Sequence, residues 1–392
     1  MNINRRNLLK RGILSMGGMA VAPYLQAGAF GDAPLSLDAK GRIYYSPMVR
    51  EHFLDEMPAF NSMLRIGSNE NPYGPPMSSR EAIKNSIEGG AGNRYSWQEM
   101  AVLVDKIAKK EGVAKENIMM GPGSSDLLEK TALVLCQGGN VVSADPTYMS
   151  LIRVAEAVGA NWKAIQTKPD WSHDLDAMEK AVDKDTKLVY VCNPNNPMGS
   201  LTDVKKLVDF CSRVSEKVPV FVDEAYLEFA DGATESMVKL VAQGKNVIIA
   251  RTFSKAMGMA GLRVGYLVAK KSTLDTIQKI TRGGMGISYT SIMAATAALD
   301  DQAFEASCVK NNKEVKDHLC KGLKELGYKY VPSYTNFVIF PISMNGKDFL
   351  GKMAAKGVSI RSFEIQNKSW CRVSIGTMDE IKQFLTVLKT IA

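Results

Sequence analysis

From about residue 100 onward, short apolar runs rich in β-branched residues alternate with stretches of helical periodicity. The runs are "NIMMG", "NVVSAD", "WKAIQT", "KLVYVCN", "VPVFVDE", "NVIIART" and "VGYLVAK". Continuous apolar runs separated by amphipathic helices predict strands buried on both faces of a mainly parallel α/β sheet, here of seven strands flanked by helices. After about residue 290 the pattern changes to long helix, short strand and helix, ending at "TVLKTIA". This predicts a smaller α+β domain. The boundaries read from the pattern are an N-terminal arm and part of the small domain at 30–75, a large domain at 76–290 and a small C-terminal domain at 291–392. A chain of 392 residues exceeds one typical core, in keeping with two domains.

The first 29 residues read differently. Arg5 and Arg6 form a pair, Lys10 and Arg11 follow, a mildly apolar run extends from Gly12 to Leu25, and Ala27-Gly28-Ala29 closes it. This is the pattern of a twin-arginine signal peptide with a small-residue cleavage site, so the expected location is periplasmic or secreted. No later stretch reaches the roughly 20 apolar residues of a membrane span, so no membrane association is expected after cleavage. Four of the formal +8 charges lie in this segment. The remaining balance is too mild to suggest nucleic acid as a partner. The six cysteines, at 136, 192, 211, 308, 320 and 371, show no CxxC or metal-finger spacing, and the three histidines lie far apart. No metal site is expected.

In a parallel α/β sheet, ligands bind beyond the carboxyl ends of the strands. After "NIMM" comes Gly121-Pro-Gly123-Ser124-Ser125-Asp126, opening a helix. Glycines before a helix N-terminus make a phosphate cradle. The same stretch nearly fits a dinucleotide fingerprint, with Asp145 ending the next strand, although Asp126 replaces its third glycine. Three later strand ends weigh against a nicotinamide coenzyme. They bring an amide in "NPNNPMG", an acid and a tyrosine in "DEAY", and a serine and a lysine in "RTFSK". Pyridoxal phosphate uses such a set: an amine to condense with its aldehyde, a carboxylate for its pyridine nitrogen, and donors for its phosphate.

With "SNENPYG" (68–74), "RYS" (94–96), "DPTY" (145–148), "RTFSKAMGMAGLRVGY", "TNF" (335–337) and "CRVSIGT" (371–377), the chain resembles the fold-type I pyridoxal-phosphate aminotransferases of class I/II. Within them it is most similar to the histidinol-phosphate branch. The resemblance covers roughly residues 60 to 380 and implies the aspartate aminotransferase-like fold. It also implies roles for individual residues. Lys255 would carry the coenzyme and act as the base; Asp223 would hold the ring nitrogen; Tyr226 and Asn196 would bond the ring O3′; Tyr148 would stack on the ring. Ser124, Ser125, Ser254 and Arg263 would hold the phosphate. Tyr95 would reach the neighbouring subunit's phosphate, implying a homodimer with shared sites. Arg372 would grip the substrate carboxylate, with Asn336 nearby, while Arg361 could read an anionic side chain or simply be solvated. The expected reaction moves an amino group between an L-amino acid and a 2-oxo acid. Other reactions at Cα (elimination, racemisation, decarboxylation or oxidative deamination) and a non-catalytic coenzyme-binding protein stay open at this stage. Met198 departs from the threonine usual in "NPNNPTG", and Met257 and Met259 from bulkier apolar residues; packing is the default reading of all three.

Overall fold

A computed structural model describes residues 43–44, 46–52, 54, 63–90, 92–280 and 283–391. The expected signal peptide at 1–29 lies outside the described residues. In chain order the strands are β1 (Ile43–Tyr44), β2 (Val49–His52), β3 (Leu64–Arg65), β4 (Ile118–Gly121), β5 (Asn140–Asp145), β6 (Asn161–Gln166), β7 (Thr186–Cys192) and β8 (Val220–Asp223). They continue with β9 (Val247–Thr252), β10 (Gly265–Val268), β11 (Phe337–Ile342), β12 (Val358–Ser359), β13 (Arg361–Ile365) and β14 (Lys368–Ser374).

β4 to β10 are the seven expected strands. They form one sheet in the order β4-β10-β9-β8-β7-β5-β6, parallel except for β10, which runs antiparallel to both neighbours. Successive side chains on a strand point to opposite faces, and here both faces are apolar. Val220 and Val222 belong to one buried cluster with Val189, Val191, Val247 and Ile249. Phe221 belongs to another with Leu188, Tyr190, Ile248 and Ala250. Each such side chain taken from water contributes about 1.5–3 kcal/mol, which explains why these strands read as unbroken apolar runs. β6 departs from that expectation. Asn161 and Gln166 are exposed and the residues between them only half-buried, because β6 is the edge strand and pairs with β5 alone.

The smaller sheet has the order β1-β2-β13-β14-β11, so residues before 60 and after 330 build it together. β3 pairs in parallel with β12 beside it. Its core includes Val338, Phe340, Cys371 and Val373, packed under the helices Gln302–Glu325 and Met378–Lys389. The latter begins with a reciprocal capping box between Thr377 and Glu380. The helix Tyr289–Ala298 places Ile292, Ala294, Ala295 and Ala298 in the core of the large sheet. Packing of the large body therefore runs past the boundary expected at 290. Among the described residues no helix is long and apolar enough to cross a membrane.

Candidate active site

The carboxyl ends of β5, β7, β8 and β9 open toward the face of the small sheet that carries Glu51, Arg361 and Arg372. Between them lies a cavity of about 420 Å³. Ten of the twelve expected site residues line it: Ser124, Ser125, Tyr148, Asn196, Asp223, Tyr226, Ser254, Lys255, Arg263 and Arg372.

One end is built for a phosphate. Gly123 precedes the helix Ser124–Leu135 at φ 89° and ψ 156°, a conformation essentially restricted to glycine. It turns the chain so that the helix N-terminus, with its unsatisfied N–H groups and partial positive charge, faces the cavity. Arg263, at φ 53°, donates from Nη1 to Ala260 O at 3.0 Å and lies 3.5 Å from Ser254 Oγ. Gly265, the first residue of β10, must stay small, since a Cβ there would stand 2.4 Å from Ser124 N. The cradle is thus packed directly on the strand that follows Arg263. Thr252, to which no role was assigned from the sequence, also lines this end, and its Oγ1 accepts from Ser254 N at 3.1 Å.

Asp223 occupies the depth of the cavity. Ala225 N donates to its Oδ1 at 3.1 Å and Tyr190 Oη to its Oδ2 at 3.4 Å. Burial pushes its carboxyl up to about 6, against the opposing pull of these hydrogen bonds and of Lys255. A cationic ring nitrogen beside it would restore the ionised form. Lys255 Nζ donates to Asn69 O at 2.9 Å. Enclosure by protein lowers its ammonium to about 8, helped by the positive charges of Arg372 and Arg263. Tyr226 is buried, and its Oη accepts from Asn69 Nδ2 at 3.0 Å and from Asn196 Nδ2 at 3.5 Å. Tyr148 lies above the cavity with its Oη 3.1 Å from Ser125 Oγ.

Strand ends of one sheet cannot supply the remaining wall; β14 does. Arg372 donates from Nη1 to Asn196 Oδ1 at 2.7 Å and from Nη2 to Gly67 O at 3.1 Å. Its guanidinium sits 5.2 and 5.4 Å from the ring centres of Phe337 and Phe363. The Arg372 contact also fixes the Asn196 amide so that its NH₂ group turns to Tyr226. A buried ion cluster stiffens the strand ends from behind: Arg251 meets Glu224 at 3.1 Å and Glu228 at 3.0 Å. Glu224 directly follows Asp223, and Arg251 begins the segment that ends at Lys255.

Two expected residues lie elsewhere. Asn336 is buried behind the wall, where its Nδ2 donates to Asn69 O at 3.0 Å and Glu70 O at 3.5 Å. It therefore positions the backbone that receives Lys255 and does not border the cavity. Tyr95 is 79% exposed and borders a separate groove with Trp97, Met285 and Tyr289. Within one chain it does not meet the site. Asn69 was missed. It holds a left-handed φ of 54°, links Ser374, Tyr226 and Lys255, and was legible only as the second residue of "SNENPYG". Glu51 and Arg153 also line the cavity without having been singled out. Met198 is fully buried beside Val49, Ile339 and Phe363, and Met257 and Met259 are buried in the large core; all three are packing residues.

The donor set fits pyridoxal phosphate. An anion cradle, a buried carboxylate, an amine of lowered basicity and a tyrosine–asparagine pair surround one cavity, and a Cβ at Gly123 would stand 2.3 Å from Arg263 Nη2 and displace its guanidinium.

The comparisons agree with this geometry. The model of "Aminotransferase class I and II" matches residues 61–388. Histidinol-phosphate aminotransferase of Halalkalibacterium halodurans is 35% identical over 327 residues, covering 81% of this chain and 86% of the relative. That of Bacillus subtilis is 35% identical over 339 residues, covering 84% and 92%. The crystal structure of histidinol-phosphate aminotransferase from Sinorhizobium meliloti in complex with pyridoxal-5′-phosphate superposes with a TM-score of 0.77 at 28% identity, covering 84% of this chain and 91% of that one. The aspartate aminotransferase of Thermotoga maritima, at 18% identity and a TM-score of 0.73, shares the fold. With its sheet order, the residues that line its cavity and these matches, the chain belongs to the class I and II aminotransferase family.

Proposed function

We propose that this pyridoxal-phosphate transaminase moves an amino group between an L-amino acid and a 2-oxo acid. The observation that carries the reading is the convergence of Lys255, Asp223 and Arg372 on one cavity that ends in a phosphate cradle. When bound, the coenzyme supplies an aldehyde that condenses with amines and a ring that accepts electrons from the donor's Cα. The residues of this chain do the rest. Arg372 binds the donor carboxylate through its paired N–H groups, which orients the Cα–H bond. Lys255 Nζ, with its basicity lowered to about 8, is poised near neutral pH to take the Cα proton and return it. Buried Asp223 would hold positive charge at the coenzyme's ring nitrogen. Tyr226 and Asn196 would hold its ring oxygen.

The similarity to histidinol-phosphate aminotransferases supports the coenzyme chemistry. The exposed Tyr95, with the aromatic groove around it, supports a homodimer in which Tyr95 completes the partner's site. The N-terminal pattern supports export through the twin-arginine route, with the coenzyme already loaded. Purified protein should be yellow and shift its absorbance when an amino donor is added, recovering only with a 2-oxo acid. Recovery with oxygen or water alone would refute transamination. Replacing Arg5 and Arg6 by lysine should leave uncleaved protein inside the cell; normal processing would refute that route.

A further inference from the structure

Three strands of the small sheet present one face to the cavity. Arg361 on β13 is the direct cross-strand partner of Arg372 on β14, and Phe363, two residues further on, is the partner of Glu51 on β2. Like charges directly opposite on one sheet face repel. Glu51 lies diagonally across from Arg361 and answers that charge, accepting at Oε1 from Arg361 Nη1 at 2.9 Å. The carboxylate is 12% exposed and the guanidinium 36%, so solvent screening of the pair is weak on the Glu51 side. All of these residues line the cavity, with Arg153 and Ser150 on the helix opposite. Beyond Arg372 the small sheet thus presents a guanidinium edged by a carboxylate, facing the Arg153 guanidinium across the cavity.

We infer that Glu51 is a specificity-determining residue. It tunes the side-chain end of the cavity for donors with an uncharged group that both gives and accepts hydrogen bonds, such as a carboxamide, and against dianionic groups such as a phosphomonoester. The inference rests on the assignment of Arg372 to the donor carboxylate. A carboxamide placed there can turn its oxygen to the Arg361 guanidinium and donate from its NH₂ to Glu51. A dianion reaching Arg361 meets the Glu51 carboxylate at the same place, and such juxtaposition of like charges discriminates between ligands. Removing the carboxylate charge while keeping its shape therefore shifts the preference without removing the cation.

The test uses two ligands that share one carboxylate and differ at the far end, succinamate and 3-phosphonopropionate, titrated calorimetrically into the coenzyme-loaded protein. Glu51→Gln should raise the phosphonate affinity on the order of tenfold while succinamate changes little. Arg361→Gln, which leaves Glu51 without that cation, should move phosphonate affinity the opposite way and keeps the idea testable if the first variant folds poorly. An unchanged affinity ratio in Glu51→Gln, or parallel shifts for both ligands, overturns the assignment of Glu51. Transamination is read separately, by absorbance on adding L-amino acids. A protein whose affinity ratio follows Glu51 but whose absorbance never responds to a donor upholds the subsite and overturns the reaction.

Discussion

Alanine at Gly123 tests the phosphate cradle at its tightest point. At φ 89° and ψ 156°, a residue with a Cβ carries about 1–3 kcal/mol of backbone strain. The added carbon would also stand 2.3 Å from Arg263 Nη2 and 2.9 Å from its Cζ, so the guanidinium must move. Moving it breaks the 3.0 Å bond from Nη1 to Ala260 O and the 3.5 Å contacts to Ser254 Oγ and Pro122 O. Hydrogen bonds to a charged group contribute about 1.5–3 kcal/mol. Losing that contact should raise the coenzyme Kd about ten- to a hundredfold. The assay is titration of coenzyme-free protein with pyridoxal phosphate, followed by absorbance. Strain lowers the Tm of free and loaded protein alike, whereas displacement of Arg263 narrows the gap between them. Gly261→Ala is the control, since no atom lies within 4 Å of its added Cβ. If Gly123→Ala binds the coenzyme as tightly as Gly261→Ala, Arg263 does not hold the phosphate and the reasoning fails.

Lys255 carries a pH prediction. Its folded value of about 8 lies below the ordinary 10.5, so between these values the unfolded chain binds the proton and the folded, coenzyme-free protein does not. Stability from this group should therefore rise with pH from about 8 to about 10.5. Comparing urea midpoints of wild type and Lys255→Met across that range checks it; identical slopes would contradict it. Asp223→Asn should leave Lys255 able to form a borohydride-reducible adduct with the coenzyme while turnover drops at least about a hundredfold, as when a preorganised electrostatic partner is lost. Near-normal turnover would remove Asp223 from the chemistry. Arg372→Lys should lower kcat/KM for amino acids about ten- to a hundredfold through loss of the two-pronged contact. An equal loss for a simple amine without a carboxylate would show that Arg372 does not read that group.

Much of the site was legible because its chemistry follows strand ends. Asp223, Lys255, Asn196 and Ser124 each sit within a few residues of an apolar run, so the runs that marked the sheet also marked the rim of the cavity. Asn336 shows where this reading stops. "TNF" named the right loop, but only the packed structure turned the amide toward the backbone of Asn69 and Glu70 and away from the cavity. Asn69 was hidden for the complementary reason: its contacts to Ser374, Tyr226, Lys255 and Asn336 lie far along the chain, and no local pattern encodes them.

By itself, then, the sequence determined the large α/β sheet and, through its strand ends and its resemblance to a known family, the coenzyme and most of the residues that line the cavity, since β-branched runs, glycine turns and the residues just beyond them are local properties of the chain. Tertiary structure decided the substrate wall. Glu51 and Arg361 are 310 residues apart and meet because β2 joins the small sheet beside β13. Arg372 meets Asn196 because that sheet packs against the strand ends of the large one. Such contacts depend on register and on the apposition of two sheets, and those are set by burial of whole surfaces.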